Sequence, residues 1–260
     1  MSDSALDFEA VEEEAVLYAL DGSGVAWISL NRPHRLNAIN SSLIEGLVSS
    51  LARARTDGAL VVVVKGEGRA FCSGHDLQED ELSGPEAERI AHGLQEVTRQ
   101  MQAFPGPVVA AVQGYALGGG FEFALASDLV LAARSAKFGF PEVAVGLTVT
   151  GGVTKLLPQL VGPMRAKRLL LIGEMIDAEE AHSLGMLSFV CEPDELGERT
   201  ATIAKQLASK PRSSLALTKR AIDAAPDNFL EEQLDLEVEH LLMASRSSDA
   251  SLARDRFQER

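Results

Sequence analysis

Gly114-Tyr115-Ala116-Leu117-Gly118-Gly119-Gly120-Phe121-Glu122-Phe123-Ala124-Leu125-Ala126 is the stretch on which the reading of the whole chain turns. Three consecutive glycines open a helix, and glycine there lets a ligand come close to the backbone. The N–H groups of a first helical turn have no internal acceptor and point outward. With the positive end of the helix they stabilise a developing oxyanion. One turn in, Glu122 sits between Phe121 and Phe123 in an otherwise apolar helix. Two readings fit it: a carboxylate settled by the helix N-terminus, or a general acid–base group whose pKa is raised by burial. A second carboxylate, Glu142, ends Lys137-Phe138-Gly139-Phe140-Pro141-Glu142. It is an exposed loop glutamate unless the fold returns that loop to the helix start, where it would pair with Glu122.

Upstream, Ala15–Leu20 and Val25–Leu30 are apolar runs split by Asp21-Gly22-Ser23-Gly24, a hairpin pattern. Asn31-Arg32-Pro33 stops the second strand. Ser41 opens a helix with apolar residues at Leu43, Leu47, Leu51 and Ala54. Leu60–Val64 and Val108–Val112 are unbroken apolar runs, the mark of strands covered on both faces. Ala70–Ser73 reads as a short strand. A helix follows over about 86–103, with Pro85 close to its first turn. Leu129–Ala132 reads as a strand, and 134–150 as loop with short strands. From Gly151 the pattern is mostly helical, at about 152–161, 163–172, 177–184, 194–209, 212–225 and 228–246, interrupted by a strand at 187–191. Strands thus alternate with helices early and helices dominate the last third, which predicts an α/β core with a C-terminal helical part. The expected organisation is an acidic N-terminal segment at 1–14, a core at 15–195 and a helical region at 196–260.

The 260 residues are 46% hydrophobic and 24% charged, a globular composition that excludes chain-wide disorder. A net charge of −14 argues against nucleic acid as a partner and against docking on an anionic membrane, since both need a positive face. Cys72 and Cys191 stand outside any CxxC spacing and read as reduced thiols. His34, His75, His92, His182 and His240 form no HxxxH or HExxH pair, so no metal site is expected. The N-terminus carries Asp3, Asp7, Glu9, Glu12, Glu13 and Glu14 and no base, the opposite sign to a secretory or transit leader. No apolar run is long enough to span a bilayer, and a soluble cytoplasmic protein is expected. Two patterns mislead. Gly66-x-Gly68 lacks a third glycine, Phe71 standing in its place. Phe71-Cys72-Ser73-Gly74-His75 lacks the flanking glycines of a nucleophile elbow.

Taken in order over roughly residues 15–255, the motifs resemble the enoyl-CoA hydratase/isomerase (crotonase) superfamily. Those that carry the resemblance are Asn31-Arg32-Pro33 with Leu36-Asn37-Ala38, Gly68-x-Ala70-Phe71-Cys72-Ser73-Gly74-His75-Asp76-Leu77, the Pro107–Gly120 stretch, Lys137–Glu142 and Ala181-x-x-x-Gly185-Met186-Leu187. The resemblance implies a crotonase-like α/β spiral of β-β-α turns with a C-terminal helical trimerisation region, assembled as a homotrimer or homohexamer. It implies an acyl-CoA or enoyl-CoA thioester as substrate, CoA being part of the substrate, with no metal and no redox cofactor. The family's oxyanion hole, made of two backbone N–H groups, maps onto Ser73 and Gly119, and its hydratase carboxylates map onto Glu122 and Glu142. Ser73, Gly74, His75 and Asp76 would line the CoA thioester, with Arg35 and Leu36 near the nucleotide or pantetheine arm. Arg32, Lys65 and Arg69, together with Lys219 or Arg220 reaching in from a neighbouring subunit, are the other bases expected to offset the acidic chain at the CoA phosphates. Ser-Gly-His-Asp is similar to decarboxylating members, which lack the second glutamate, so Glu142 points back to hydration. The implied activity is hydration of a 2-enoyl-CoA. The alternatives are Δ3,Δ2-enoyl-CoA isomerisation, another CoA-thioester lyase or decarboxylase reaction, or a catalytically silent acyl-CoA-binding protein.

Overall fold

The computed structural model describes residues 14–77 and 84–258, so the acidic segment expected at 1–14 lies outside the described residues except for Glu14. The described residues open with β1 (Val16–Leu20) and β2 (Val25–Leu30), an antiparallel hairpin with Val16 opposite Leu30. Asp21 closes its turn by accepting from the N–H groups of Ser23 and Val25 and from the Trp27 indole. α1 (Ser41–Thr56) starts at Asn40, whose side chain accepts the Leu43 N–H. There follow β3 (Val61–Gly66), α2 (Gly84–Gln102), β4 (Val108–Val112), β5 (Tyr115–Leu117), α3 (Gly119–Leu125), β6 (Leu129–Ala133) and β7 (Lys137–Gly139). After a single 3-10 turn at Glu142–Val145 come α4 (Val153–Val161), α5 (Pro163–Ile172), β8 (Met175–Asp177), α6 (Ala178–Ser183) and β9 (Phe189–Cys191). α7 (Leu196–Ala208), α8 (Arg212–Ala224), α9 (Leu230–Ser245) and α10 (Ser248–Gln258) end the chain.

The main sheet has the order β1-β2-β3-β4-β6-β9, parallel from β2 onward. Val62, Val64, Val108, Ala110 and Val112 share one core with Leu43 and Leu47 of α1, Leu94 and Met101 of α2 and Phe121 of α3. The alternate residues Val61, Val63 and Val109 meet Leu196, Ile203 and Ala204 of α7 on the other face. Both faces are covered, which is why these strands read as unbroken apolar runs. α7 thus packs on the main sheet as far as Leu207 and Ala208. α8–α10 form the separate helical part: α8 buries no residue and α9 buries only His240.

A second sheet, β5-β7-β8, is extended by single bridges between Cys72 and Ala116 and between Ile39 and His75. The strand expected at 70–73 shrinks to the Cys72 bridge. Cys72, Ala116, Phe138 and Ile176 form one buried rung across this sheet. Each turn of the spiral uses a long strand in the main sheet, a short one in the second and then a helix, as β4, β5 and α3 show. The corner between β4 and β5 is Gly114, at φ +60°, where a Cβ would lie 1.9 Å from the Arg69 carbonyl oxygen. Only glycine fits that corner. Among the described residues no helix is long and apolar enough to cross a membrane.

Candidate active site

α3 is short, and its register places Glu122 on the face toward the 141–150 loop, with Phe121 stacked on Phe140 at 4.8 Å on the core side. The same spiral turn that returns β7 beside β5 carries Pro141 and Glu142 back to the start of α3. The Glu142 carboxylate lies against Gly118: at φ +51° this residue has no Cβ, and one placed there would sit 2.9 Å from Glu142 Oε1. Glu122 and Glu142 thus line one cleft of about 490 Å³, together with Ser73, Gly74, His75, Gly118 and Gly119. The rest of its wall is mainly apolar: Ile39, Ala87, Ile90, Ala91 and Leu94 on one side, Val145 and Leu147 on the other.

The two carboxyl groups have different surroundings. Glu122 is 2% exposed. Its Oε1 accepts the Thr150 N–H at 2.6 Å and its Oε2 accepts the Thr150 hydroxyl at 2.7 Å. Burial raises its pKa above the ordinary carboxylate value, and the two Thr150 donors offset only part of that rise. Glu142 is half-buried, and its Oε2 is buried with no hydrogen-bond partner. Burial pushes its pKa up to about 7; its own backbone N–H pulls against that rise, and the neighbouring charge of Glu122 adds a smaller push upward.

Other expected site residues fall elsewhere. Asp76 does not border the cleft: it is buried and paired with Arg32 at 3.1 Å. Arg32 also donates to the Ala38 carbonyl, so this expected phosphate ligand is a buried structural cation. Arg35 and Leu36 stand behind the cleft wall, in and after the turn Pro33–Arg35, and do not line it. Lys219 is turned inward onto the carbonyls of Met101 and Gly106 and onto Asp128, at 3.1, 3.4 and 2.8 Å. Lys65 pairs with Glu67, while Arg69 and Arg220 are exposed.

The expected backbone donors divide as well. Gly119 opens α3 at the cleft edge. Ser73, by contrast, donates its N–H to the Leu36 carbonyl at 3.1 Å, which corrects its expected place in the oxyanion hole. The reason lies in the pairing of 72–76 with 36–39. Ile39 donates to the Gly74 carbonyl and accepts from the Asp76 N–H, at 2.8 and 2.9 Å. In such a parallel bridge the residue opposite, His75, directs its own N–H to the other edge.

Thr150 and the α2 side chains were not legible as site residues. Thr150 stands in an irregular loop, and nothing in its neighbours announces a contact made 28 positions away. The α2 stripe was legible only as a helix face, and a buried face reads the same whether it meets core or ligand.

The cleft that Glu122 and Glu142 share between the glycine-led α3 and the returning 141–150 loop, carried on two sheets wound in β-β-α turns, is that of an enzyme of the crotonase fold. The chain belongs to the enoyl-CoA hydratase/isomerase family, whose sequence model matches residues 21–260. It is 37% identical to the 1,2-epoxyphenylacetyl-CoA isomerase of Escherichia coli K12, over 87% of this chain and 88% of that protein. It is 33% identical to the crotonyl-CoA hydratase of Syntrophomonas wolfei, over 97% and 94% of the two chains. The crystal structure of an enoyl-CoA hydratase from Bacillus anthracis is similar with a TM-score of 0.89 at 32% identity, covering 94% of this chain and 96% of that one.

Proposed function

We propose that the chain is an enoyl-CoA hydratase that adds water across the 2,3-double bond of a 2-enoyl-CoA thioester. The observation that carries this reading is the unequal pair of glutamates in one cleft: Glu122 accepts two donors, and Glu142 Oε2 accepts none. The first arrangement favours a carboxylate and the second a carboxylic acid.

In the proposed reaction the acyl group lies against Ile39, Ile90 and Leu94, with the thioester oxygen held by the N–H groups of Gly119 and His75. Glu122 takes a proton from water as its oxygen bonds to C3. The electron pair of the double bond moves through C2 onto the thioester oxygen. As that enolate collapses, Glu142 gives its proton to C2. Preformed donors are needed because an enolate is otherwise too unstable to form with a carboxylate as base; losing one donor costs about 10²–10³ in rate. No resident cofactor takes part in these steps. The assembly is proposed to be trimer-based, acting in the cytoplasm.

A second reading, Δ3,Δ2-enoyl-CoA isomerisation, is supported by a relative from Mycosarcoma maydis named enoyl-CoA isomerase/hydratase, 32% identical over all of this chain, and requires mainly one carboxylate. Crotonyl-CoA separates the two. Hydration removes the conjugated thioester absorbance, with a product heavier by one water. An isomerase alone leaves crotonyl-CoA unchanged and creates that absorbance from a 3-enoyl-CoA.

A further inference from the structure

We propose that Thr150 is a positioning residue that clamps Glu122 as a carboxylate through two donors from one side chain and its backbone, and thereby decides which glutamate is the base. The proposal rests on the reading of Glu122 as an acid–base group of this cleft.

Among the described residues, Thr150 supplies every hydrogen bond that the Glu122 side chain accepts: its N–H at 2.6 Å to Oε1 and its hydroxyl at 2.7 Å to Oε2. A backbone N–H can only donate, so Oε1 is an acceptor in any state of the site. Donors on both oxygens fix the plane of the carboxyl group and favour its charged form. The clamp is itself held. The Thr98 hydroxyl on α2 donates to the Gly151 carbonyl at 3.2 Å, and the Val153 N–H donates to the Thr150 carbonyl at 3.0 Å, closing the loop onto α4. The titratable groups around Glu122 are Glu142 and His75 in the cleft, Glu88 at the α2 rim and the Cys72 thiol, with the Arg32–Asp76 pair beyond it. The Cys72 thiol is pushed up to about 12 by burial and stays neutral. The hydrogen bonds that the Glu122 carboxylate accepts among the described residues come from Thr150, so removing its hydroxyl removes a stabiliser of that charge.

The test titrates Glu122 directly. In the full-length chain labelled with carboxyl-13C glutamate, its resonance is the one lost in Glu122→Gln. Thr150→Val, which keeps the shape and the N–H but loses the hydroxyl, is expected to raise the Glu122 midpoint by about 1–2 pH units. Thr150→Ser is expected to stay near the parent value. With crotonyl-CoA, Thr150→Val should lower kcat about tenfold, leave KM within a factor of about two and move the acid limb of the pH profile upward by the same interval. A threonine hydroxyl can accept as well as donate. An unchanged or lowered midpoint in folded Thr150→Val, or a serine variant that behaves like the valine one, would overturn the proposal. If Thr150→Val does not fold by circular dichroism, Thr150→Ala carries the same test. Absence of turnover in the parent enzyme would refute the hydratase reading alone, because the titration still decides the clamp.

Discussion

Glu122 and Glu142 carry the same functional group in unequal surroundings: burial raises the pKa of both, but Thr150 donates to both oxygens of Glu122 while Glu142 Oε2 lies buried without a partner. Glu142 has its pKa raised to about 7, so it is protonated below that pH and charged above it. If it is the acid that delivers a proton to C2, kcat/KM for crotonyl-CoA falls as pH rises through about 7, approaching tenfold per unit. A stopped or steady-state pH series measures this, and a rate that keeps rising to pH 9 would remove Glu142 as the acid. The residue scale is also where the family motif misleads. Asp76 and Arg32 stand in motifs that suggest ligand contact, but each is buried against the other. A sequence lists charges without their partners, and this partner is 44 positions away.

At the scale of elements, long periodic segments were legible. The α1 stripe and the unbroken β3 and β4 runs state their own burial, and the boundaries of α5 match the expected 163–172. β5 and β8 were not legible, since three residues are too few to show a period of two; they exist because the spiral brings β7 between them. The return of the 141–150 loop to α3, on which the whole site depends, was legible only through the family resemblance. Lys219 carries the other lesson at this scale. Expected as a phosphate ligand, it instead ties α8 to the core through Asp128 and two carbonyls, with its side chain 9% exposed. Lys219→Met should leave Asp128 and those carbonyls poorly satisfied and cost about 2–4 kcal/mol. Chemical denaturation measures the loss, and limited proteolysis should show earlier cutting between α7 and α8. An unchanged midpoint would mean that α8 docks by other contacts.

At the scale of the molecule, α8–α10 bury little and expose much. Phe229 is 81% exposed, Leu230 71% and Leu241 68%, and Met164, Leu171 and Ile172 are similarly bare on α5. Apolar surface on this scale is what an association between subunits would cover. A trimer-based assembly is expected by light scattering, with truncation after Ala225 giving dissociated or poorly soluble protein; a stable monomer of 27.8 kDa would contradict it. In the proposed hydration each glutamate carries one proton, Glu122 taking one from water and Glu142 giving one to C2. The most direct test of that division is the crotonyl-CoA hydration rate of the parent chain beside Glu122→Gln and Glu142→Gln, with CoA-thioester binding checked by competition. Each variant is expected to bind nearly as well and to turn over about 10²–10⁴-fold more slowly. Near-normal hydration by either folded variant would contradict it.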